Sequence, residues 1–143
     1  MIEFHLDPHS GVAPYLQIVQ QVKRALRLGL LQVGDQLPTV REVIAQITIN
    51  PNTVFKAYRE LEREGLVHSR PGAGTFVRHT LATASPTTQA ELQDSLRRWL
   101  ESAFAAGLDG ESALALFMST VQEFKLETVK EDRKVDRKEV EPV

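Results

Sequence analysis

The sequence predicts a mainly α-helical chain with one small β-hairpin and a further helical pair at the C-terminal end. Apolar residues recur at helical spacing in five stretches. Two of these stretches are short and joined by only three residues, Thr48 to Asn50. Two β-prone runs then flank Pro71-Gly72-Ala73-Gly74, the composition of a hairpin tip.

The first helix is expected over residues 14–28, "PYLQIVQQVKRALRL". Pro14 suits its first position, Tyr15, Ile18, Val19, Val22, Ala25 and Leu26 form one apolar face, and Gly29 stops it. "DQLP" reads as a short extended link. Thr39 opens a second helix, "TVREVIAQI", and has capping-box spacing to Glu42. Its expected core face is Val40, Val43, Ile44 and Ile47. Asn50 and Pro51 fit the N-cap and first position of a third helix. Val54, Ala57, Tyr58 and Leu61 face inward there, and Gly65 ends it. So tight a joint is a helix-turn-helix signature, and the hairpin that follows makes it a winged one.

Residues 79–87, "HTLATASPT", read as a linker. A fourth helix is expected at about 88–106, stopped by Gly107, and a fifth at about 110–126, capped by Asp109. Their apolar faces are too large for two helices to bury alone. A four-helix interface with a second copy is the economical solution, with Leu96, Trp99, Leu100, Phe104, Phe117 and Val121 at its core. The charged tail, 127–143, either extends the fifth helix or is disordered.

Composition narrows the function classes. The chain has 143 residues, no cysteine and a net charge of −2. Residues 1–80 carry 9 Lys+Arg against 7 Asp+Glu, and the remainder 8 against 12, so the N-terminal part is mildly basic and the C-terminal part acidic. No apolar run reaches membrane-spanning length and the start does not resemble a signal peptide, so a cytoplasmic protein is expected. No phosphate loop or nucleophile elbow appears, and no enzyme or cofactor is expected. His5 and His9 flank Asp7, but Pro8 breaks any helix there, so no metal site is expected.

"LPTVREV", "NPNTVFKAYRELEREGL" and "RPGAGTFV", in that order, closely resemble the DNA-binding domain of GntR-family transcription regulators. The resemblance covers about residues 10–78. The short helical remainder resembles the YtrA-type branch. This implies a DNA-binding domain at 10–78 and a dimerisation region at 88–126. It also implies repression of the protein's own operon and neighbouring transporter genes.

Several residues are candidates for contact with double-stranded DNA. Arg41 stands at the second position of the second helix, where the resemblance places a DNA-touching arginine. Asn52 can bind adenine bidentately, Thr53 can take a phosphate or touch a thymine methyl, and Lys56 can reach a guanine edge or a phosphate. For Asn52 and Thr53, plain helix-start chemistry is the competing reading. Arg59 either touches backbone or pairs with a neighbouring glutamate. At the wing, Arg70, Gly72 and Gly74 let the chain approach the duplex closely, although any hairpin tip wants glycines. Phe55 stands where a polar residue is usual. It either touches thymine methyls or packs partly against the second helix. A homodimer on an inverted-repeat operator follows from two-fold symmetry. The alternative is a winged-helix module that binds a protein. Neither the operator nor any small-molecule effector is written in the sequence.

Overall fold

A computed structural model describes residues 2–140. The order of elements is α1 (Pro14–Arg27), α2 (Val40–Gln46), α3 (Pro51–Arg63), β1 (Val67–Arg70), β2 (Gly74–Val77), α4 (Pro86–Ala105) and α5 (Gly110–Val140). They fall into two compact units, one up to Gln89 and one from Ala90 onward. Among the described residues no helix is long and apolar enough to cross a membrane.

In the first unit, the core joins α1, α2, α3 and the hairpin. Ile18, Val22, Leu26, Leu37, Val43, Val54, Leu61 and Val67 are all essentially inaccessible to solvent. The helices begin and end where their chemistry directs. Thr39 Oγ1 accepts the Glu42 N–H at 3.2 Å, and Asn50 Oδ1 accepts the Asn52 N–H at 2.9 Å. At the end of α3 the Leu66 N–H bonds to the Leu61 carbonyl and the Gly65 N–H to that of Glu62, a Schellman stop with Gly65 at φ 78°. On α2 the expected core face narrows. Val43 is buried and Val40 and Ile47 are half-buried, but Ile44 is 42% exposed. Ile47 lies past the last helical residue, at a C-cap in extended conformation (φ −132°), so the helical stripe is cut short.

The hairpin pairs Val67 with Val77, His68 with Phe76, Ser69 with Thr75 and Arg70 with Gly74. "DQLP" is more than a link. Its backbone zips along the outer edge of β2, with Leu37 N–H to Thr75 O and Val77 N–H to Asp35 O. This covers an edge that would otherwise be open.

The residues before α1 also join this unit. Phe4 is buried in the core. The Gln21 amide bonds both backbone groups of His5, and the Gln17 amide bonds both of Asp7. Gln17, buried in α1, also donates to Ser10 Oγ and the Val12 carbonyl. Its polar atoms are thus satisfied by the chain that crosses it.

In the second unit, α4 starts two residues earlier than expected. Ser85 Oγ accepts the Thr88 N–H at 3.2 Å, and Pro86 follows at the first helical position. Gly107 stops α4 at φ 97°, and Asp109 caps α5 through the Ser112 N–H at 2.7 Å. Helix α5 runs past residue 126 to Val140, so the charged segment is helical as far as it is described; residues 141–143 lie outside the described residues. Ala103 and Ala113 are the buried contacts of this unit, and Trp99 and Phe117 meet at 6.5 Å between ring centroids. Leu92, Leu96, Phe104, Leu114, Phe117 and Phe124 are exposed.

Candidate nucleic-acid interface

Helix α3 has two sides. Val54, Ala57, Tyr58 and Leu61 pack inward. Outward, Asn52, Phe55 and Arg59 follow one another at i, i+3 and i+7, so their side chains share one strip. All three are exposed. Arg59 forms no ion pair among the described residues, because its candidate partners are engaged. Glu60 holds Arg63, and Glu62 accepts from the Ser69 backbone and hydroxyl. Thr53 is half-buried, and its N–H donates to the Asn50 carbonyl.

Lys56 is exposed and follows Asn52 by four residues. Its ammonium lies 4.0 Å from the centroid of the Tyr15 ring on α1, a cation–π contact. It stands one turn after Asn52 and carries the basic surface on toward α1. Arg41, at the second position of α2, is exposed and has no ion pair among the described residues.

Pro71 and Gly72 form the middle of the wing turn. The Ala73 N–H bonds to the Arg70 carbonyl at 3.0 Å, with Gly72 at φ 76°, as a type II turn requires. Gly74 has a different cause. Its φ of 130° is a conformation that L residues rarely adopt, and a Cβ there would only oblige the exposed Gln36 side chain, whose amide nitrogen is 2.5 Å away, to swing aside. Arg70 is held from two sides. Its Nε donates to His68 Nε2 at 3.1 Å, and its guanidinium lies 4.9 Å from the Phe76 ring centroid. That bond leaves the proton of a neutral His68 on Nδ1, which is buried without a partner. Sequence reasoning placed Arg70 at the wing but missed its two supports. Same-face spacing of His68 and Arg70 on one strand was the available signal.

Between the start of α2, the exposed strip of α3 and the root of the wing lies a groove of about 240 Å³ lined in part by Thr39, Val40, Phe55, Arg59, Ser69 and Gly74. It brings Phe55 and Arg59 to the wing. Among the described residues no group of three or more His, Asp or Glu side chains is placed to hold a metal ion.

Comparison with known proteins agrees with this geometry. The family described as "Bacterial regulatory proteins, gntR family" matches residues 14–77. The chain is 38% identical over 107 residues to the HTH-type transcriptional repressor YtrA of Bacillus subtilis (strain 168), covering 74% of this chain and 82% of that protein. It is 33% identical over 109 residues to an HTH-type transcriptional regulator of Mycobacterium tuberculosis, covering 76% and 86%. Among solved structures, one titled as a transcriptional antiterminator from Listeria monocytogenes EGD-e superposes with a TM-score of 0.54 at 33% identity, over 85% of this chain and 92% of that one. A short helix-turn-helix, a hairpin wing and a likeness that runs through most of a small repressor converge on one assignment. The chain belongs to the GntR family of bacterial regulatory proteins, in its YtrA-like branch, and is a DNA-binding transcription regulator.

Proposed function

We propose that the protein is a homodimeric repressor of its own operon and of neighbouring transporter genes, acting on an inverted-repeat operator. The observation that carries the DNA half is the polar strip of α3, flanked by Arg41 and by the wing arginine. Asn52 reads base edges and Thr53 supports the helix start. Arg41, Lys56, Arg59 and Arg70 neutralise phosphates, and Gly72 lets the wing tip approach the backbone. Gly74 contributes by fixing the wing's root.

The dimer half rests on the second unit. Leu96, Phe104 and Phe117 are each more than two-fifths exposed, and Trp99, Leu100 and Val121 are only half-buried. Apolar surface on this scale is expected to find a partner, and a second copy offers the same surface in return. In this reading residues 10–78 bind DNA, 79–87 link the two functions and 88–126 pair the copies. The helical continuation of α5 lengthens the surface available for pairing. The Bacillus subtilis relative is named a repressor, which supports the same direction of control.

The test is operator binding, titrated with salt, on duplexes from upstream of the protein's own gene. Arg41→Ala should weaken binding on all sequences and flatten its salt dependence. Trp99→Asp should sediment as a monomer and lose operator affinity. An unchanged dimer would remove residues 88–126 from the interface. Equal affinity for operator and random DNA would favour a protein partner for the winged helix.

A further inference from the structure

We propose that Phe55 is a base-reading side chain that selects thymine in each half-site by contact with its 5-methyl group. The proposal rests on the DNA-binding reading above and adds to it what one position of the operator must be.

Phe55 is 50% exposed, whereas the inward apolar residues of the same helix, Val54, Ala57, Tyr58 and Leu61, are at most 7% exposed. It belongs neither to the buried core nor to the half-buried residues packed on it. The ring lines the groove beside Thr39 and Val40 of α2, yet half of its surface stays free. The ring therefore borders that groove and keeps half of its surface open to a ligand.

Its neighbours define what the free side meets. Phe55 lies midway along the Asn52–Phe55–Arg59 strip, between an amide suited to a base edge and an unpaired guanidinium suited to phosphate. A recognition helix meets base edges with its N-terminal residues, and Phe55 is the fifth residue of α3. The Lys56 ammonium lies over the Tyr15 ring on α1, to the other side of Asn52 from Phe55. A phenyl ring offers a base edge no donor and no in-plane acceptor. In the major groove the one apolar feature of any base pair is the thymine methyl. Cytosine presents only a hydrogen at the same carbon, so the ring would face a gap there.

The experiment uses the full-length protein and an operator recovered by selection from random duplexes. Each thymine of that operator is replaced in turn by uracil, which removes only the methyl. Wild type should lose about fourfold in affinity at one thymine per half-site, the value of burying one methyl-sized group, and roughly sixteenfold when both half-sites are changed. Phe55→Ala should bind the thymine and uracil duplexes equally, and Phe55→Leu should keep a reduced preference. Because Phe55 is exposed, both variants should retain the wild-type circular dichroism. If wild type binds the selected operator but the uracil scan is flat, the assignment of Phe55 fails and DNA recognition stands. If the uracil loss persists unchanged in Phe55→Ala, another side chain reads that methyl and the assignment also fails. If no duplex is enriched over random DNA, the DNA-binding reading falls and this role falls with it.

Discussion

Replacing Tyr58 with phenylalanine isolates the joint between α3 and the start of α2. The Tyr58 hydroxyl donates to the Pro38 carbonyl at 2.5 Å, across twenty residues of chain, and Pro38 is itself fully buried. Phenylalanine keeps the ring, so no large cavity forms and the loss is confined to one bond. A net hydrogen bond contributes about 1 kcal/mol, and a buried carbonyl left without its donor costs about 1–3 kcal/mol. With water excluded from Pro38, about 2 kcal/mol is expected. That is roughly a thirtyfold rise in the population of the opened unit. The readout is amide hydrogen exchange at Leu61 and Val54, which lie in the same core and report on the first unit alone.

A pH series sharpens the test. Burial first, and the Glu42 carboxylate second, hold the Tyr58 phenol above its ordinary 10.0. The folded state therefore keeps this proton when the unfolded chain releases it. The stabilisation is complete below pH 10.0 and is lost as pH rises from there toward the folded value. The stability gap between wild type and Tyr58→Phe should shrink as pH climbs above 10.0. A gap under about 0.3 kcal/mol at neutral pH, or one that does not change with alkali, refutes the bond's assigned role.

Three further substitutions probe other joints. Gly74→Ala should destabilise the first unit by about 2 kcal/mol, because an L residue is strained at φ 130°. Gly72→Ala, in the left-handed region at φ 76°, should cost about half as much, so equal losses in urea unfolding would discount the extra strain at Gly74. In the second unit the Ser112 backbone N–H, then its hydroxyl, hold the Asp109 carboxyl below its ordinary 3.8. The ionised cap therefore supports α5 above 3.8 and loses that support as pH falls through the lowered value. Asp109→Asn keeps a capping oxygen but should lack this acid limb in far-ultraviolet circular dichroism.

Local chemistry made much of the first unit legible in the sequence. Thr39, the Asn50-Pro51 pair and Gly65 each announce a helix boundary through a bond that needs only neighbours in the chain. The structure shows those bonds in place. What was not legible depends on distant partners. Phe4 stands in a short run, Ile2 to Asp7, where apolar and polar residues alternate as in a half-buried extended segment, but what it packs on is set by amides of α1 sixteen and ten residues beyond the backbone they hold. "DQLP" becomes a sheet edge only once β2 exists beside it. Lys56 stands one turn after Asn52 by spacing, but its contact with Tyr15 needs α1 packed beside α3. Ser85-Pro86 could have been found, since it repeats the logic of Asn50-Pro51 one element later. At the interface, spacing alone places Asn52, Phe55 and Arg59 on one strip. The support of Arg70 by His68 and Phe76 needs the cross-strand register.

The extended segment ahead of α1 separates two ideas of a boundary. Family likeness marks residues 14–77, and a fragment cut there would carry every side chain assigned to DNA. It would also lack Phe4, one of the largest fully buried side chains, and would leave the Gln17 amide stripped of all its partners. Such a fragment would open a phenylalanine-sized void above an unsatisfied amide, and its weak binding would be mistaken for a weak recognition surface. Any minimal DNA-binding piece of this protein should therefore begin at its first residues.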